Sequence, residues 1–436
     1  MKKTILLVTL LFISTVSFSQ NVISLFGKAT EFFNLLESNK FDTAHQYFSE
    51  AEQAKIKPEN LQKLWTSVKA KLGNIETLDV LQSKAQGEVF AVTMQGKFER
   101  DVQNFVLLFN KSEKLVALYM PPNAIAYTKP FYVDTTLYTE KSVYLQSTTH
   151  QLAAIITTPK NATSFPMVVL VHGSGPADMD GTVGPNKPLK DLATGLASKG
   201  IGSIRYVKRT VLYASEFTKA FTVKEEVVDD AVAAVALAKT VKGADLKNIY
   251  VLGHSLGGML APRIATLVPD LKGMILAAAP ARKLTDIIIE QNKYMVAQSK
   301  DTTAALQKDL ANAIKVIEAS RLTKLGTTIK PDSTIVGLPA SYWVDLNNYD
   351  QVATAKASQK RIFIAQGGND FQVSETDFNI WKAAFTGKPN VTLKYYSEIN
   401  HLLSPQVEKA TSVQYQTMTN VSEQLVKDIA AFITAK

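Results

Sequence analysis

Residues 253–258, Gly-His-Ser-Leu-Gly-Gly, lie between an apolar run, NIYVL, and a helical pattern, MLAPRIATL. The order of strand, sharp turn and helix around G-x-S-x-G is typical of a nucleophile elbow, in which the turn exposes a serine hydroxyl. Gly253 and Gly257 lack the β-carbons that would collide in so tight a turn. The segment therefore predicts that Ser255 is a nucleophile at the end of a buried strand.

A serine nucleophile needs a base within hydrogen-bond reach. The chain contains five histidines, and only His401 follows Ser255 in the sequence. Proteins that use this elbow have the order serine, acid, histidine along the chain. His401 closes an alternating run, residues 391–400, so we expect it just past the carboxyl end of a strand. It is the predicted base.

The acid is expected after the preceding strand, residues 361–365, where Gln-Gly-Gly-Asn-Asp follows. Asp370 ends that turn and is predicted to fix the tautomer of the His401 ring and to stabilise its protonated form. Asp377 is the alternative acid. The structural alternative for Asp370 is a turn aspartate that accepts hydrogen bonds from nearby backbone N–H groups.

An oxyanion hole needs two N–H donors beside the nucleophile. The first is predicted at Leu256, directly after the serine, and the second in residues 172–176 (HGSGP), which follow the apolar strand MVVLV. We call residues 172–176 the oxyanion loop. Ser174 is the predicted second donor and Gly173 the alternative, while His172 is a candidate residue of the substrate pocket.

Several segments together resemble the α/β-hydrolase superfamily: VHGSGP, residues 178–190, RYVKRT, GHSLGG, GGND and NHLL. More narrowly, they are similar to bacterial exported carboxylesterases related to dienelactone hydrolases and acyl-peptidase-like enzymes, over about residues 128–436. The resemblance implies that Ser255, Asp370 and His401 form a catalytic triad. One departure is that dienelactone hydrolases use a cysteine nucleophile, and this chain has no cysteine.

The predicted fold class is α/β, with a doubly wound, mostly parallel sheet that carries helices on both faces. Strands alternate with helices from the oxyanion loop onward, and short alternating segments in residues 131–158 predict an antiparallel edge. The predicted elements are strands 168–171, 202–206, 248–252, 274–278, 361–365 and 391–400, and helices 189–198, 223–240, 259–267, 375–385 and 413–433.

About residues 283–355 interrupt this alternation between the sixth and seventh strands of the sheet. Two amphipathic helices, roughly 284–297 and 302–320, precede a loop with glycine and proline. This is where the resemblance places a cap, which shields the acyl-enzyme and shapes the pocket. Candidate pocket residues here are Tyr294, Met295, Tyr342 and Trp343, and their alternative role is core packing.

Residues 1–19 are expected to be a secretory signal peptide, with a basic start, a short apolar segment and a Ser-Phe-Ser cleavage site. The apolar segment is too short to span a bilayer. The mature protein is therefore expected in the periplasm or outside the cell, without a stable membrane anchor. A retained N-terminal anchor is the alternative.

Residues 20–120 are predicted to form a small α+β domain, because helical spacing in 22–36 and 61–72 precedes three strand-like segments. It resembles the small cystatin- or NTF2-like domain of unknown function that precedes some bacterial exported hydrolases. Because it contains one histidine, His45, and no cluster of acids or glycines that would carry chemistry, the expected role is interaction, dimerisation or covering of the site rather than a second enzyme. Two prolines mark a linker at 121–130. The hydrolase domain is then residues 131–436, and a homodimer through the first domain is a hypothesis.

The net charge is +9, but the lysines are spread along the chain without the concentrated basic face that nucleic-acid binding requires. No cofactor motif or metal-ligand spacing is present, so we predict neither a cofactor nor a metal. The expected function is cleavage of small-molecule carboxylic esters through a serine triad and an acyl-enzyme. A peptidase or amidase of the same fold and a non-catalytic binding protein are the alternatives.

Overall fold

The structure is a computed structural model that describes residues 22–86, 89–121, 126–160 and 162–435. The chain divides into two compact units, residues 1–124 and 125–436. The predicted signal peptide, residues 1–19, and residues 122–125 of the predicted linker lie outside the described residues. None of the described helices is long and apolar enough to cross a membrane.

The first unit packs helices against one antiparallel sheet, whose strands follow the order β1-β2-β3-β4. Its elements are α1 (Val22–Glu37), α2 (Phe41–His45), α3 (Glu50–Gln53), α4 (Pro58–Leu72), β1 (Ile75–Gln86), β2 (Val89–Phe98), β3 (Val102–Phe109) and β4 (Leu115–Tyr119). The helix α4 confirms the predicted helical spacing, and it buries Leu61, Trp65, Val68 and Leu72, which recur every three or four positions. The helices α2 and α3 were not predicted because five and four residues are too few to show a helical period.

The second unit contains the remaining elements. The described strands are β5 (Tyr138–Ser147), β6 (His150–Pro159), β7 (Phe165–Val171), β8 (Gly202–Tyr206), β9 (Ala244–His254), β10 (Gly273–Ala277), β11 (Thr334–Ile335), β12 (Leu338–Pro339), β13 (Arg361–Gly367) and β14 (Val391–Tyr396). The described α-helices are α5 (Pro188–Ala197), α6 (Arg209–Leu212), α7 (Asp229–Ala238), α8 (Leu256–Leu267), α9 (Leu284–Gln298), α10 (Ala304–Glu318), α11 (Ala340–Asn348), α12 (Gln351–Ala357), α13 (Glu375–Ala384) and α14 (Glu423–Thr434).

Eight of these strands form one sheet in the order β14-β13-β10-β9-β7-β8-β6-β5. The strands from β14 to β8 pair in parallel, while β6 pairs antiparallel with β8 and with β5. Buried apolar clusters cover both faces, one of them formed largely with α7 and α8 and the other with α5 and α14. The predicted doubly wound sheet with an antiparallel edge is therefore confirmed.

The predicted site residues follow the carboxyl ends of neighbouring parallel strands. In the register of the sheet, Val171 lies opposite Gly253, and Ala277 lies opposite both His254 and Ala365. The oxyanion loop, the elbow and the turn after β13 consequently leave the sheet at one edge. Ligand sites of parallel α/β sheets lie at this edge.

The insertion between β10 and β13 begins with two helices, α9 and α10, whose ends lie within two residues of the prediction. The predicted helix 223–240 begins with a π-helical turn, Lys224–Val228, that leads into α7. A wider turn of this kind changes the direction in which its side chains point and often occurs at functional sites.

The predicted start of the last helix at residue 413 is wrong, because α14 begins at Glu423 and a 3₁₀ turn occupies Ser412–Gln416. Side chains from elsewhere bind the backbone between these two elements. The N–H of Thr419 donates to the side chain of Asn186 at 2.7 Å, and that of Val421 donates to Asp191 at 2.9 Å. These contacts satisfy backbone groups that a helix would otherwise bond internally.

Candidate active site

Ser255 joins β9 to α8 in a backbone conformation that side chains rarely adopt. Its φ is 56° and its ψ is −120°. Such a conformation costs a non-glycine residue on the order of 1–3 kcal/mol and persists only where the surrounding structure imposes it. The strand and the helix on either side impose it here, which leaves the serine at the tip of the turn.

Three glycines make this turn possible. A Cβ on Gly253 would lie 2.1 Å from the carbonyl oxygen of Gly257, and one on Gly257 would lie 2.5 Å from that of His172. A Cβ on Gly258 would lie 2.7 Å from the Cβ of Ala279. The steric role predicted for Gly253 and Gly257 is confirmed, and Gly258 has a similar one.

The ring of His401 hydrogen-bonds the carboxylate of Asp370, with 2.7 Å between Nδ1 and Oδ2. Both side chains are almost fully buried, with exposed fractions of 6% and 0%. The other carboxylate oxygen accepts the backbone N–H groups of Gln372 and Val373 at 2.8 and 2.9 Å. A carboxylate in this position accepts a proton carried on Nδ1 of His401, which leaves Nε2 of the neutral ring as an acceptor.

Asp377, the alternative acid, binds elsewhere. Its Oδ1 accepts the backbone N–H groups of Ala281 and Arg282 at 2.9 and 3.0 Å. Its Oδ2 accepts the Arg282 guanidinium at 2.6 Å. The contacts of Asp377 join the start of the insertion to α13, while Asp370 contacts the predicted base.

His254 connects the elbow to the loop that carries His401. Its Nε2 lies 2.7 Å from the carbonyl oxygen of His401, and the two ring centroids are 4.8 Å apart. Within the described chain, no hydrogen bond joins the Ser255 hydroxyl to the His401 ring. Such bonds are often long or poorly aligned in unliganded enzymes and shorten when substrate binds. The backbone thus brings the predicted base beside the residue that precedes the predicted nucleophile.

The oxyanion loop packs directly on the elbow. A Cβ on Gly173 would lie 3.1 Å from the Cβ of Ser255. Leu256 is the first residue of α8, where backbone N–H groups have no partner within the helix. The two predicted donors, Leu256 and Ser174, therefore come from the elbow itself and from a loop that contacts Ser255.

A buried ion pair lies beside the oxyanion loop. Lys208 Nζ and Glu226 Oε1 are 2.7 Å apart, and both side chains are almost inaccessible to solvent. Burial opposes ionisation of Glu226, but the Lys208 charge and the hydrogen bonds from Lys208, Tyr342 and Gly175 lower the pKa of Glu226 below its usual value. The pair was not identified from the sequence, although Lys208 belongs to the RYVKRT segment that contributed to the resemblance.

The candidate pocket residues have distinct surroundings. His172 is buried and its Nε2 donates to the carbonyl of Asp178 at 2.8 Å. Burial, together with the charge of Lys208, lowers the pKa of His172 to about 3, so the ring is neutral at physiological pH. Tyr294 stacks on Phe371, one residue after the predicted acid, at 5.8 Å between ring centroids.

The remaining three lie elsewhere in the insertion. Met295 is exposed. Tyr342 donates its hydroxyl to Glu226 at 2.7 Å, and the indole N–H of Trp343 donates to the carbonyl of Ile335 at 2.7 Å. Both aromatic side chains are buried. In the described ranges, no group of three or more histidine, aspartate or glutamate side chains could hold a metal ion.

Comparison with known proteins finds a family model that matches part of each unit. Residues 29–118 match the family described as "Protein of unknown function (DUF3887)". Residues 220–405 match the family described as "Serine aminopeptidase, S33". A curated relative, esterase EstD of Thermotoga maritima, is 34% identical over 403 residues, which are 92% of this chain and 93% of EstD.

Solved structures resemble this chain more distantly. Est1E from Butyrivibrio proteoclasticus is 15% identical with a TM-score of 0.43, and the match covers 68% of this chain and 99% of Est1E. An acylaminoacyl peptidase from Pyrococcus horikoshii is 14% identical with a TM-score of 0.49, over 81% of this chain and 55% of the peptidase. The sequence identities and TM-scores of these structures are too low to support a family assignment.

The match to EstD extends over 92% of this chain, so it includes residues of both units. The eight-stranded sheet and the elbow after its central strand β9 agree with the resemblance identified from the sequence motifs. The chain therefore belongs to the α/β-hydrolase superfamily of enzymes, in the family of the esterase EstD.

Proposed function

We propose that this protein is a serine hydrolase that cleaves carboxylic esters, with Ser255 as nucleophile, His401 as base and Asp370 as the acid that orients the base. The observation that carries the proposal is the buried 2.7 Å bond between Asp370 and His401, in a loop that His254 binds to the elbow. The strained backbone of Ser255 adds support, since strain of this kind is concentrated at functional sites.

In the first half of the reaction, His401 Nε2 takes the proton of the Ser255 hydroxyl as its oxygen attacks the acyl carbon. The negative oxygen of the tetrahedral intermediate accepts the N–H groups of Leu256 and Ser174. The protonated ring then gives its proton to the departing alcohol, which leaves an acyl group on Ser255. Asp370 remains ionised and stabilises the charged ring.

In the second half, water replaces the alcohol and the roles repeat. His401 takes a proton from the water as it attacks the acyl-enzyme, and the same two N–H groups bind the second oxyanion. Collapse of that intermediate returns the proton to Ser255 and releases the carboxylic acid. Each group is thus back in its starting protonation state after one turnover.

A peptidase or amidase is the second candidate function, because the family model over residues 220–405 is described as a serine aminopeptidase. Amide cleavage uses the same triad but needs an acid placed to protonate the leaving nitrogen. We therefore expect faster turnover of acetyl and butyryl p-nitrophenyl esters than of aminoacyl p-nitroanilides. The reverse order of kcat/KM values would favour the peptidase.

We also propose that the protein is exported after cleavage of residues 1–19, and that residues 20–120 serve as an interaction or dimerisation module. The signal-like composition of the first segment supports export. Intact mass spectrometry of the protein from the periplasmic or culture fraction tests export, and the expected mass is that of a chain that begins at Gln20. Sedimentation of the full chain and of a variant that lacks residues 20–120 tests the second proposal.

The direct test of the proposed nucleophile is Ser255→Ala. We expect kcat for a p-nitrophenyl ester to fall by about 10⁴-fold or more, with an unchanged circular dichroism spectrum. Ser215→Ala is the matched control, because Ser215 is exposed and lies outside the elbow. An unchanged rate in Ser255→Ala would place the nucleophile elsewhere.

A further inference from the structure

The contribution of the buried Lys208–Glu226 ion pair to the stability of the fold does not explain its presence at this position. Desolvation of two buried charges offsets most of their attraction, so such a pair contributes little compared with apolar side chains of similar size. Its other contacts are therefore the informative ones. Lys208 follows the end of β8, and Glu226 lies on the π-helical turn before α7.

Both ions bind the oxyanion loop. Lys208 Nζ donates to the carbonyl oxygen of Gly173 at 2.9 Å, and the backbone N–H of Gly175 donates to Glu226 Oε1 at 2.9 Å. The residues on both sides of Ser174 are thus fixed by one ion pair. The second oxygen of Glu226 accepts the hydroxyl of Tyr342, which lies on α11 in the insertion.

The contact to Gly173 determines the direction of the Ser174 N–H. The carbonyl of Gly173 and the N–H of Ser174 belong to one planar peptide unit, in which C=O and N–H point in opposite directions when the bond is trans. The described peptide bonds are all trans. A cation fixed at the Gly173 oxygen therefore directs the Ser174 N–H away from Lys208.

The same contact also strengthens this donor. A positive charge at a carbonyl oxygen draws electrons through the peptide, and hydrogen bonds in such a chain reinforce each other in a medium of low dielectric constant. The Ser174 N–H then carries more positive charge than an ordinary amide. An oxyanion would gain most from this, since hydrogen bonds to an ionised acceptor are the strong ones.

We propose that Lys208 and Glu226 are positioning residues of the oxyanion hole, which orient and polarise the Gly173–Ser174 peptide so that Ser174 is the second donor. This inference rests on the proposed function. The proposal selects Ser174 rather than Gly173 as the second donor. The N–H of Gly173 belongs to the preceding peptide, and in the described chain no such cation binds the carbonyl oxygen of that peptide. The proposal also gives Tyr342 a role in fixing Glu226.

Two ketone inhibitors with the same short acyl chain test the proposal. A trifluoromethyl ketone adds to the serine and places an oxyanion in the hole, whereas the matching methyl ketone binds without this charge. For Lys208→Met, we expect the inhibition constant of the trifluoromethyl ketone to rise about 10- to 100-fold, somewhat less than the loss of a whole donor. The inhibition constant of the methyl ketone should change less than about 3-fold. In the same variant, kcat for the ester should fall with little change in KM.

Conservative variants separate positioning from folding. Lys208→Arg keeps a cationic donor and should recover part of the trifluoromethyl ketone affinity. Glu226→Gln keeps the shape of the side chain but removes the charge that holds Lys208 at the Gly173 carbonyl. It should therefore shift the ratio of the two inhibition constants in the same direction as Lys208→Met. If Lys208→Met does not fold, the ratio in Glu226→Gln decides the question.

Arg209→Met is the matched control, because Arg209 forms an equally buried ion pair with Asp230 and its side-chain partners lie outside the loop. It should lower the melting temperature without changing the ratio. An unchanged ratio in Lys208→Met and Glu226→Gln would overturn this proposal while leaving the proposed function intact. Full activity in Ser255→Ala would instead overturn the proposed function.

Discussion

His254 Nε2 lies 2.7 Å from the carbonyl oxygen of His401, so the residue before the proposed nucleophile binds the backbone of the proposed base. A carbonyl oxygen only accepts, which makes Nε2 of His254 the donor and leaves its Nδ1 without a proton. Burial and the neighbouring His401 lower the pKa of His254 to about 4. The neutral ring therefore persists at the pH values at which a serine hydrolase with a histidine base works.

Loss of this bond should impair the placement of His401. For His254→Phe we expect kcat to fall by about 10- to 100-fold with little change in KM, because a small displacement of a catalytic group is costly. His254→Gln retains an N–H donor and should keep more of the activity. Steady-state kinetics on a p-nitrophenyl ester measures both, and equal rates in Phe, Gln and parent proteins would contradict this role.

Two histidines with lowered pKa values should make the fold sensitive to acid. The pKa of His172 falls from 6.5 to about 3 and that of His254 to about 4. Below about pH 6.5 the two rings bind protons in the unfolded chain but not in the folded chain. The free energy of unfolding that the neutral rings contribute is therefore complete above pH 6.5 and is lost as the pH falls toward 4. The expected slope is about 1.4 kcal/mol per pH unit for each group.

Urea unfolding at several pH values between 7 and 4.5 measures that slope. His254→Gln should remove the part that His254 contributes. A free energy of unfolding that stays constant over this range would show that neither ring is kept neutral by the fold.

The two candidate acids make opposite predictions. Asp370→Asn should lower kcat by about 10⁴-fold, because an amide at this position favours the wrong tautomer of the His401 ring. Asp377→Asn breaks the contacts with Arg282 and should lower the melting temperature while kcat stays within a few-fold of the parent. A large loss of kcat only in Asp377→Asn would exchange the two assignments.

The elbow has no space for a single added methyl group at Gly253. In Gly253→Ala the new Cβ would overlap the Gly257 carbonyl, and we expect a loss of about 3 kcal/mol or more in unfolding free energy, or no folded protein. Gly326→Ala is the control, since a Cβ there meets nothing within 4 Å. It should be neutral or stabilising by up to about 1 kcal/mol. Equal melting temperatures for the two variants would contradict the steric explanation of the elbow.

Local patterns in the sequence were sufficient to predict most of the sheet. Strands of a parallel sheet appear as short apolar runs, and β8 was predicted with its observed ends. The insertion was found because the alternation of strands and helices stops after β10. By contrast, α11 and α12 were missed, since short helices within an insertion show no periodicity long enough to recognise.

Contacts between distant residues set the limit of the sequence prediction. Lys208 and Glu226 are 18 residues apart, and each resembles an ordinary surface charge in the sequence. Glu226 lies on the π-helical turn and accepts a hydrogen bond from Tyr342 of α11, and neither of these elements has a local signal in the sequence. The start of α14 was misplaced for a similar reason, because Asn186 and Asp191 bind the chain ahead of it.

The most direct measurement is mass spectrometry of the protein quenched in acid during turnover of a p-nitrophenyl ester. We expect one acyl adduct, on the peptide that contains Ser255. The adduct should be absent in Ser255→Ala and should form far more slowly in His401→Gln. An adduct on another residue, or continued ester turnover by Ser255→Ala, would contradict the proposed mechanism.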